Sequence, residues 1–146
     1  MIKALFFDVD GTLVSFDTHQ VPESTIAALR AARQNGVKIF TATGRPRQLL
    51  NNIYDVEPLM DGYILATGAQ CTYGDVTVRE DLIPTASATT IVRYCESHGI
   101  PVVVVGKTDI QIVNRNTTVD RVFYELLKVD YHKFDVPVDE VIEQGI

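Results

Sequence analysis

Residues 4–13 read Ala-Leu-Phe-Phe-Asp-Val-Asp-Gly-Thr-Leu, an apolar run that stops at two aspartates one residue apart and a glycine. Two carboxylates this close repel each other unless a cation or a shared proton compensates, and hard oxygen ligands favour Mg²⁺. The simplest chemistry for Asp8 and Asp10 is therefore a metal site. The bland alternative, a solvated loop pair, fits poorly with four apolar residues on one side and Gly-Thr-Leu on the other. An uninterrupted apolar stretch bounded by a turn predicts a strand buried on both faces, with the aspartates at the carboxyl end of a central parallel strand. Open α/β sheets place their ligands at that end.

Asp8-Val-Asp10-Gly11-Thr12-Leu13 resembles the first motif of the haloacid dehalogenase (HAD) superfamily of phosphohydrolases. The resemblance implies that Asp8 attacks phosphorus to give an aspartyl-phosphate, and that Asp10 serves as general acid and then general base. The implied Mg²⁺ ligands are the Asp8 carboxylate and the Asp10 main-chain carbonyl. A carboxylate is a poor nucleophile toward a dianionic phosphate until a metal neutralises part of the charge, so nucleophile and metal must share a site. The residue two along can face the same centre and protonate the leaving oxygen. Gly11 lets the backbone turn sharply and approach the phosphate.

A second match follows the β-rich segment Val37–Phe40. Thr41-Ala42-Thr43-Gly44-Arg45-Pro46 resembles the superfamily's second motif, a hydroxyl residue before Gly-Arg, which implies that Thr43 and Gly44 bind a phosphoryl oxygen. Pro46 suits the first turn of a helix, whose free amides and dipole favour an anion beside Gly44. Taken alone, Thr43 also reads as a plain helix N-cap. Arg45 and Arg47 stay open between substrate contact and surface. In Tyr63-Ile64-Leu65-Ala66-Thr67-Gly68-Ala69, the Cof-type branch usually has Asn where Thr67 stands, and a hydroxyl offers fewer donors than an amide.

These motifs need a scaffold of alternating strands and helices. Residues 22–35 predict a helix opened by Pro22 and stopped by Gly36; residues 46–54 predict a second, and Gly62–Ala66 a third strand. That β-α-β-α-β pattern is an α/β, Rossmann-like parallel sheet core. Gln70–Tyr73 and Val76–Arg79 flank Gly74-Asp75 as a hairpin. Beyond it, residues 86–98 repeat apolar groups at helical spacing, Val102–Val105 and Ile110–Val113 enclose a turn containing Gly106, and Val119, Val122, Phe123, Leu126 and Leu127 mark another helix. The reading is two modules: residues 1–82, a partial HAD-like core, and residues 83–146, a partial α+β cap inserted after the third core strand. In the superfamily the sheet order is 3-2-1-4-5. Without strands 4 and 5, Leu5, Phe6 and Phe7 would lie on an open edge, inviting self-association.

The resemblance also implies a later lysine and a Gly-Asp-x-x-x-Asp-like stretch, and neither is found. Lys3, Lys38, Lys107, Lys128 and Lys133 do not follow a third core strand at the start of a new core segment, and Gly74-Asp75 is in a hairpin. The 146 residues therefore read as an amino-terminal fragment, inactive alone, of a Mg²⁺-dependent phosphomonoesterase for small phosphorylated metabolites. The rivals are a phosphosugar mutase and a non-catalytic receiver-like or binding fragment. A net charge of −6 argues against nucleic acid or an anionic membrane as partner. With no apolar run long enough to span a bilayer and no room for a signal peptide, the expected location is the cytoplasm. Cys71 and Cys95 read as reduced packing thiols, and His19, His98 and His132 as bland. Tyr54, Tyr63, Tyr73 and Phe123 read as packing residues, and the Asp139-Glu140 pair as solvated.

Overall fold

The computed structural model describes residues 2–129 and 134–146; His132 and Lys133 lie outside the described residues. Backbone contacts divide the chain into two compact units, Met1–Asp81 and Leu82–Ile146.

The first unit is an α/β sheet. Strands β1 (Ala4–Phe7), β2 (Lys38–Ala42) and β3 (Gly62–Leu65) run parallel, and β4 (Gln70–Tyr73) with β5 (Val76–Glu80) adds an antiparallel hairpin, giving the order β1-β2-β3-β4-β5. Helix α1 (Glu23–Gln34) makes the crossover from β1 to β2. Its Ile26 and Leu29 pack into a core with Val9, Leu13, Ile39, Ile53 and Val56. The chain leaves α1 through Gly36, whose φ of +75° closes the helix in the left-handed region that glycine adopts without steric cost.

Two expectations change. β1 lies on the open edge expected without strands 4 and 5, but it is not buried on both faces as its apolar run suggested: among the described residues it pairs with β2 alone, its other residues are only half-buried, and Phe6 is 59% exposed. The apolar run is thus covered on one flank of the sheet, and Phe6 finds partners along the face. Its ring stacks on Phe40 with centroids 4.8 Å apart, and Phe40 stacks on Tyr73 at 5.9 Å. Gly62 lets this row close, since a Cβ there would fall 2.2 Å from the Thr72 carbonyl oxygen and 3.0 Å from the Phe40 ring.

The helix expected over residues 46–54 is also absent. Pro46 is extended, Arg47–Leu49 form one 3₁₀ turn, and Leu50 leaves helical geometry. The apolar period is real, because Leu49, Leu50 and Ile53 are buried. The Leu49 carbonyl, however, accepts from the Arg45 side chain, so a side-chain hydrogen bond takes the place of a helical one. The anion-binding helix terminus expected beside Gly44 is lost with it.

In the second unit α2 (Thr85–Ser97) precedes the hairpin of β6 (Val102–Val105) and β7 (Ile110–Val113). The next helix starts as α3 (Thr117–Asp120), capped by the Asn116 side chain on the Thr118 and Val119 N–H groups, and continues as a π-helical turn over Arg121–Leu126. A helix not foreseen, α4 (Val138–Glu143), buries Val141 and Ile142 against Ala88, Val92 and Val104. Asp139 pairs with Arg93, and the His98 ring closes on the Tyr94 carbonyl at the end of α2. Phe123 is buried as expected, whereas Tyr54 is exposed and packs less than its type suggested. Both cysteines are free thiols.

At the amino ends of β2 and β3 a charged cluster staples the sheet. The Asp61 carboxylate, 9% exposed, accepts from Lys38 Nζ, Arg33 Nη1 and the Ile39 N–H, each at 2.9 Å. Burial pushes the Asp61 carboxyl up, but the Lys38 and Ile39 hydrogen bonds and the charges of Arg33 and Lys38 outweigh it and hold it below the usual range. A carboxyl depressed in the folded state contributes stability that is present above its unfolded value of about 4 and is lost as pH falls through the folded value. Asp61→Asn should therefore lower stability at neutral pH by ~1–3 kcal/mol, discounted for the partly exposed partners. The gap from the native protein should narrow as urea midpoints are followed from pH 7 to below about 4; a gap independent of pH would refute this account.

Candidate active site

The parallel register delivers three loops to one edge of the sheet. Phe7 lies opposite Thr41, and Ala42 opposite Ile64, so Asp8, Thr43 and the Ala66–Gly68 turn all emerge at the carboxyl ends of adjacent strands.

Val9 anchors the first loop. It is fully buried, and its carbonyl accepts from the Thr12 N–H at 3.3 Å and the Val14 N–H at 2.9 Å. The Asp8 carboxylate is exposed and takes no hydrogen bond or ion pair among the described residues. Gly11 has φ +78°, a conformation that calls for glycine, and a Cβ there would lie 2.4 Å from the exposed Phe16 ring.

Asp10 is held differently. Arg45 Nε donates to its Oδ2 and Nη2 to its Oδ1, both at 2.8 Å, in a bidentate fork. Asn52 Nδ2 stands 3.5 Å from Oδ1, at the outer limit of a hydrogen bond, while the Asn52 Oδ1 is buried without a partner among the described residues. The sequence suggested a cation to compensate two adjacent carboxylates; on Asp10 that cation is a guanidinium of the same chain. Neither Arg45's partner nor Asn52 was legible in the sequence, because both contacts close across 35 residues or more.

Thr43, 8% exposed, extends the pairing of β2 through its N–H to the Ile64 carbonyl. Its Oγ1 accepts from the Arg45 N–H at 3.1 Å. That is a local turn bond, not a helix cap, since only the 3₁₀ turn of Arg47–Leu49 follows and its N-cap is Pro46. Gly44 is exposed, and its N–H makes no backbone hydrogen bond among the described residues. Thr67 stands against it, Oγ1 lying 3.7 Å from where a Gly44 Cβ would be. Ala66 and Thr67 both have positive φ, +47° and +57°, a strained pair tied down by Ala66 N–H to Arg45 carbonyl and Thr67 N–H to Thr43 carbonyl. Arg47 lies apart from this group: its guanidinium sits 4.8 Å over the Tyr63 ring and pairs with Glu57.

The oxygens present suit a hard cation. The Asp8 carboxylate is unengaged, and the Asp10 carbonyl accepts no backbone hydrogen bond among the described residues. No group of three or more His, Cys, Asp or Glu side chains placed to hold a metal occurs among those residues. The donor set fits Mg²⁺ in kind and would supply part of its shell.

A family model for haloacid dehalogenase-like hydrolases matches residues 5–144. The chain belongs to that family. A solved structure reported for a trigonal-bipyramidal intermediate in a phosphoryl-transfer superfamily is 40% identical, with a TM-score of 0.86, covering 100% of this chain and 56% of that one. The structure of a HAD subclass IIB sugar phosphatase is 41% identical, with a TM-score of 0.82, covering 99% and 56%. An HMP-PP phosphatase of Klebsiella pneumoniae is 31% identical over 90 residues, which cover 60% of this chain and 32% of that protein. The chain thus spans about half the length of each of these two solved structures.

In this member of the HAD-like family the Thr43 hydroxyl has structural work to do. Thr43→Val removes the acceptor of a buried main-chain N–H and should cost ~1–3 kcal/mol of unfolding free energy. Thr43→Ser should recover most of it. Denaturant melts of both variants test this, and an unchanged valine variant would refute it.

Proposed function

We propose that the protein to which these residues belong is a Mg²⁺-dependent phosphomonoester hydrolase that works through an aspartyl-phosphate on Asp8. The observation that carries the reading is the contrast between two neighbouring carboxylates: Asp8 is exposed and unengaged, and Asp10 is locked by a guanidinium. Carboxylate pairs in unlike environments take unlike roles. In the first step an Asp8 oxygen bonds to phosphorus, the ester P–O bond breaks, and the leaving oxygen takes a proton from Asp10. In the second, a water bonds to phosphorus as Asp10 takes its proton, and the Asp8–phosphorus bond breaks to release phosphate.

The Thr43 hydroxyl proton and the Gly44 N–H are donors for the phosphoryl oxygens, and Gly11 permits close approach. Mg²⁺, held by the Asp8 carboxylate and the Asp10 carbonyl, would offset the negative charge that otherwise separates nucleophile and phosphate. The remaining ligands and a charge-stabilising lysine are expected from beyond the described residues, so residues 1–146 alone should turn over negligibly.

The substrate class is small phosphorylated metabolites, sugar phosphates first, in keeping with the 41%-identical sugar phosphatase. Two free thiols accord with a cytoplasmic setting. Among the described residues no helix is long and apolar enough to cross a membrane.

Asp8→Asn in the full-length protein should abolish Mg²⁺-dependent release of phosphate, because an amide cannot form the acyl-phosphate. Hydrolysis of para-nitrophenyl phosphate and of a hexose-phosphate panel, with and without chelator, reads this out. Wild-type-like rates in the variant would exclude the mechanism. The unpaired edge of β1 with its exposed Phe6 should make isolated residues 1–146 associate with rising concentration in sedimentation velocity, and Phe6→Lys should weaken it. A monomer at every concentration would exclude that edge as an interface.

A further inference from the structure

Arg45 is a cation in a phosphate site, yet its hydrogen bonds go to protein. Nε and Nη2 serve the two Asp10 oxygens, and Nη1 donates to the Leu49 carbonyl at 2.9 Å. The side chain is 8% exposed. Its main chain is fastened on both sides, the N–H to Thr43 Oγ1 and the carbonyl to the Ala66 N–H, each at 3.1 Å. A guanidinium held this way is not free to follow a substrate.

We propose that Arg45 is a positioning residue, fixing the Asp10 carboxylate in the orientation for proton transfer rather than gripping the phosphoryl group. The inference rests on the phosphatase reading above. Asp10 needs such support: it stands in a loop beyond an edge strand, with its side chain 36% exposed. A planar fork admits essentially one arrangement of the carboxylate, which a point charge on a flexible stem does not impose.

The fork also distinguishes the two oxygens. Each has two lone-pair positions. Oδ1 accepts from Nη2 and faces Asn52 Nδ2, whereas Oδ2 accepts from Nε alone. The open position of Oδ2 is where the travelling proton sits. In the first step the Oδ2–H bond breaks while the leaving oxygen keeps the P–O electron pair and gains the proton; in the second, Oδ2 takes a proton from the attacking water. The fork stays closed throughout.

The test uses the full-length protein carrying Arg45→Lys, with Arg45→Gln as the second variant should the lysine protein fail to fold. Two substrates separate the roles. An alkyl phosphate such as a hexose phosphate needs its leaving oxygen protonated, whereas para-nitrophenolate leaves with little help. General acid–base catalysis is typically worth ~10²- to 10⁴-fold. The kcat for the alkyl ester should thus fall ~100-fold with KM within ~3-fold, and that for the aryl ester less than ~10-fold. In an Asp10→Asn background the same Arg45 change should alter kcat by less than ~3-fold, because what it positions is gone.

Equal losses on both esters, a rise in KM, or losses that multiply in the Asp10→Asn background would overturn the proposal in favour of direct phosphate contact or a purely structural role. Native protein without Asp8-dependent turnover would overturn the phosphatase reading as well. Native turnover that needs Asp8 but shows no Arg45–Asp10 coupling would overturn the positioning role alone.

Discussion

A site that opens with two aspartates one residue apart has to separate their charges, and here the planar contact between Arg45 and Asp10 does so. Coulomb repulsion between neighbouring carboxylates grows as solvent is excluded, so a compensating charge on one of them lets the loop close tightly over Val9. The guanidinium can reach Asp10 because β1 and β2 are parallel and in register, which sets the second motif beside the first. Once there it draws in the Leu49 carbonyl, and the segment after Pro46 turns instead of continuing as a helix. One ion pair thus shapes the loop chemistry and the path of the chain behind it. It also leaves Asp8 as the exposed carboxylate of the two, with no ion pair among the described residues.

The rest of the first unit holds those two strands still. Along one face the stacked rings of Phe6, Phe40 and Tyr73 tie three strands together, with Gly62 supplying the space. At the far end Asp61 collects Lys38, Arg33 and a backbone N–H. Apolar burial by Ile26, Leu29, Ile39 and Ile53 supplies the bulk of the cohesion. The edge at the carboxyl ends of β1, β2 and β3 carries the irregular geometry instead, with positive φ at Gly11, Ala66 and Thr67. A rigid sheet with strained loops at one end is the arrangement expected where geometry at a reacting centre matters.

The second unit makes a different point about local and distant information. Its hairpin β6–β7 reads directly from two valine- and isoleucine-rich runs around Gly106, and the strands have the bounds that alternation and turn chemistry suggest. Helix α4 does not announce itself, because six residues containing three acids look solvated until Val141 and Ile142 meet α2 and β6. Short amphipathic segments take their helicity from packing, which no window of sequence contains.

The sequence by itself determined the chemistry-bearing residues, the α/β class, the membership implied by Asp-x-Asp-Gly-Thr and Thr-Gly-Arg, and the hairpins. Those signals are local: apolar runs, glycine turns and short motifs carry their meaning within about ten residues. What only the tertiary structure decided is how those residues are used. That Arg45 faces Asp10 rather than solvent is an outcome of contact between segments far apart in the chain, and the short-range bonds by which Thr43 serves a turn rather than a helix cap and residues 46–54 do not form a helix settle only once Arg45 is held there. A guanidinium can satisfy its fork on many carboxylates, and its choice is made by which strands pair and in what register, a property of the folded chain and not of its residues taken in order.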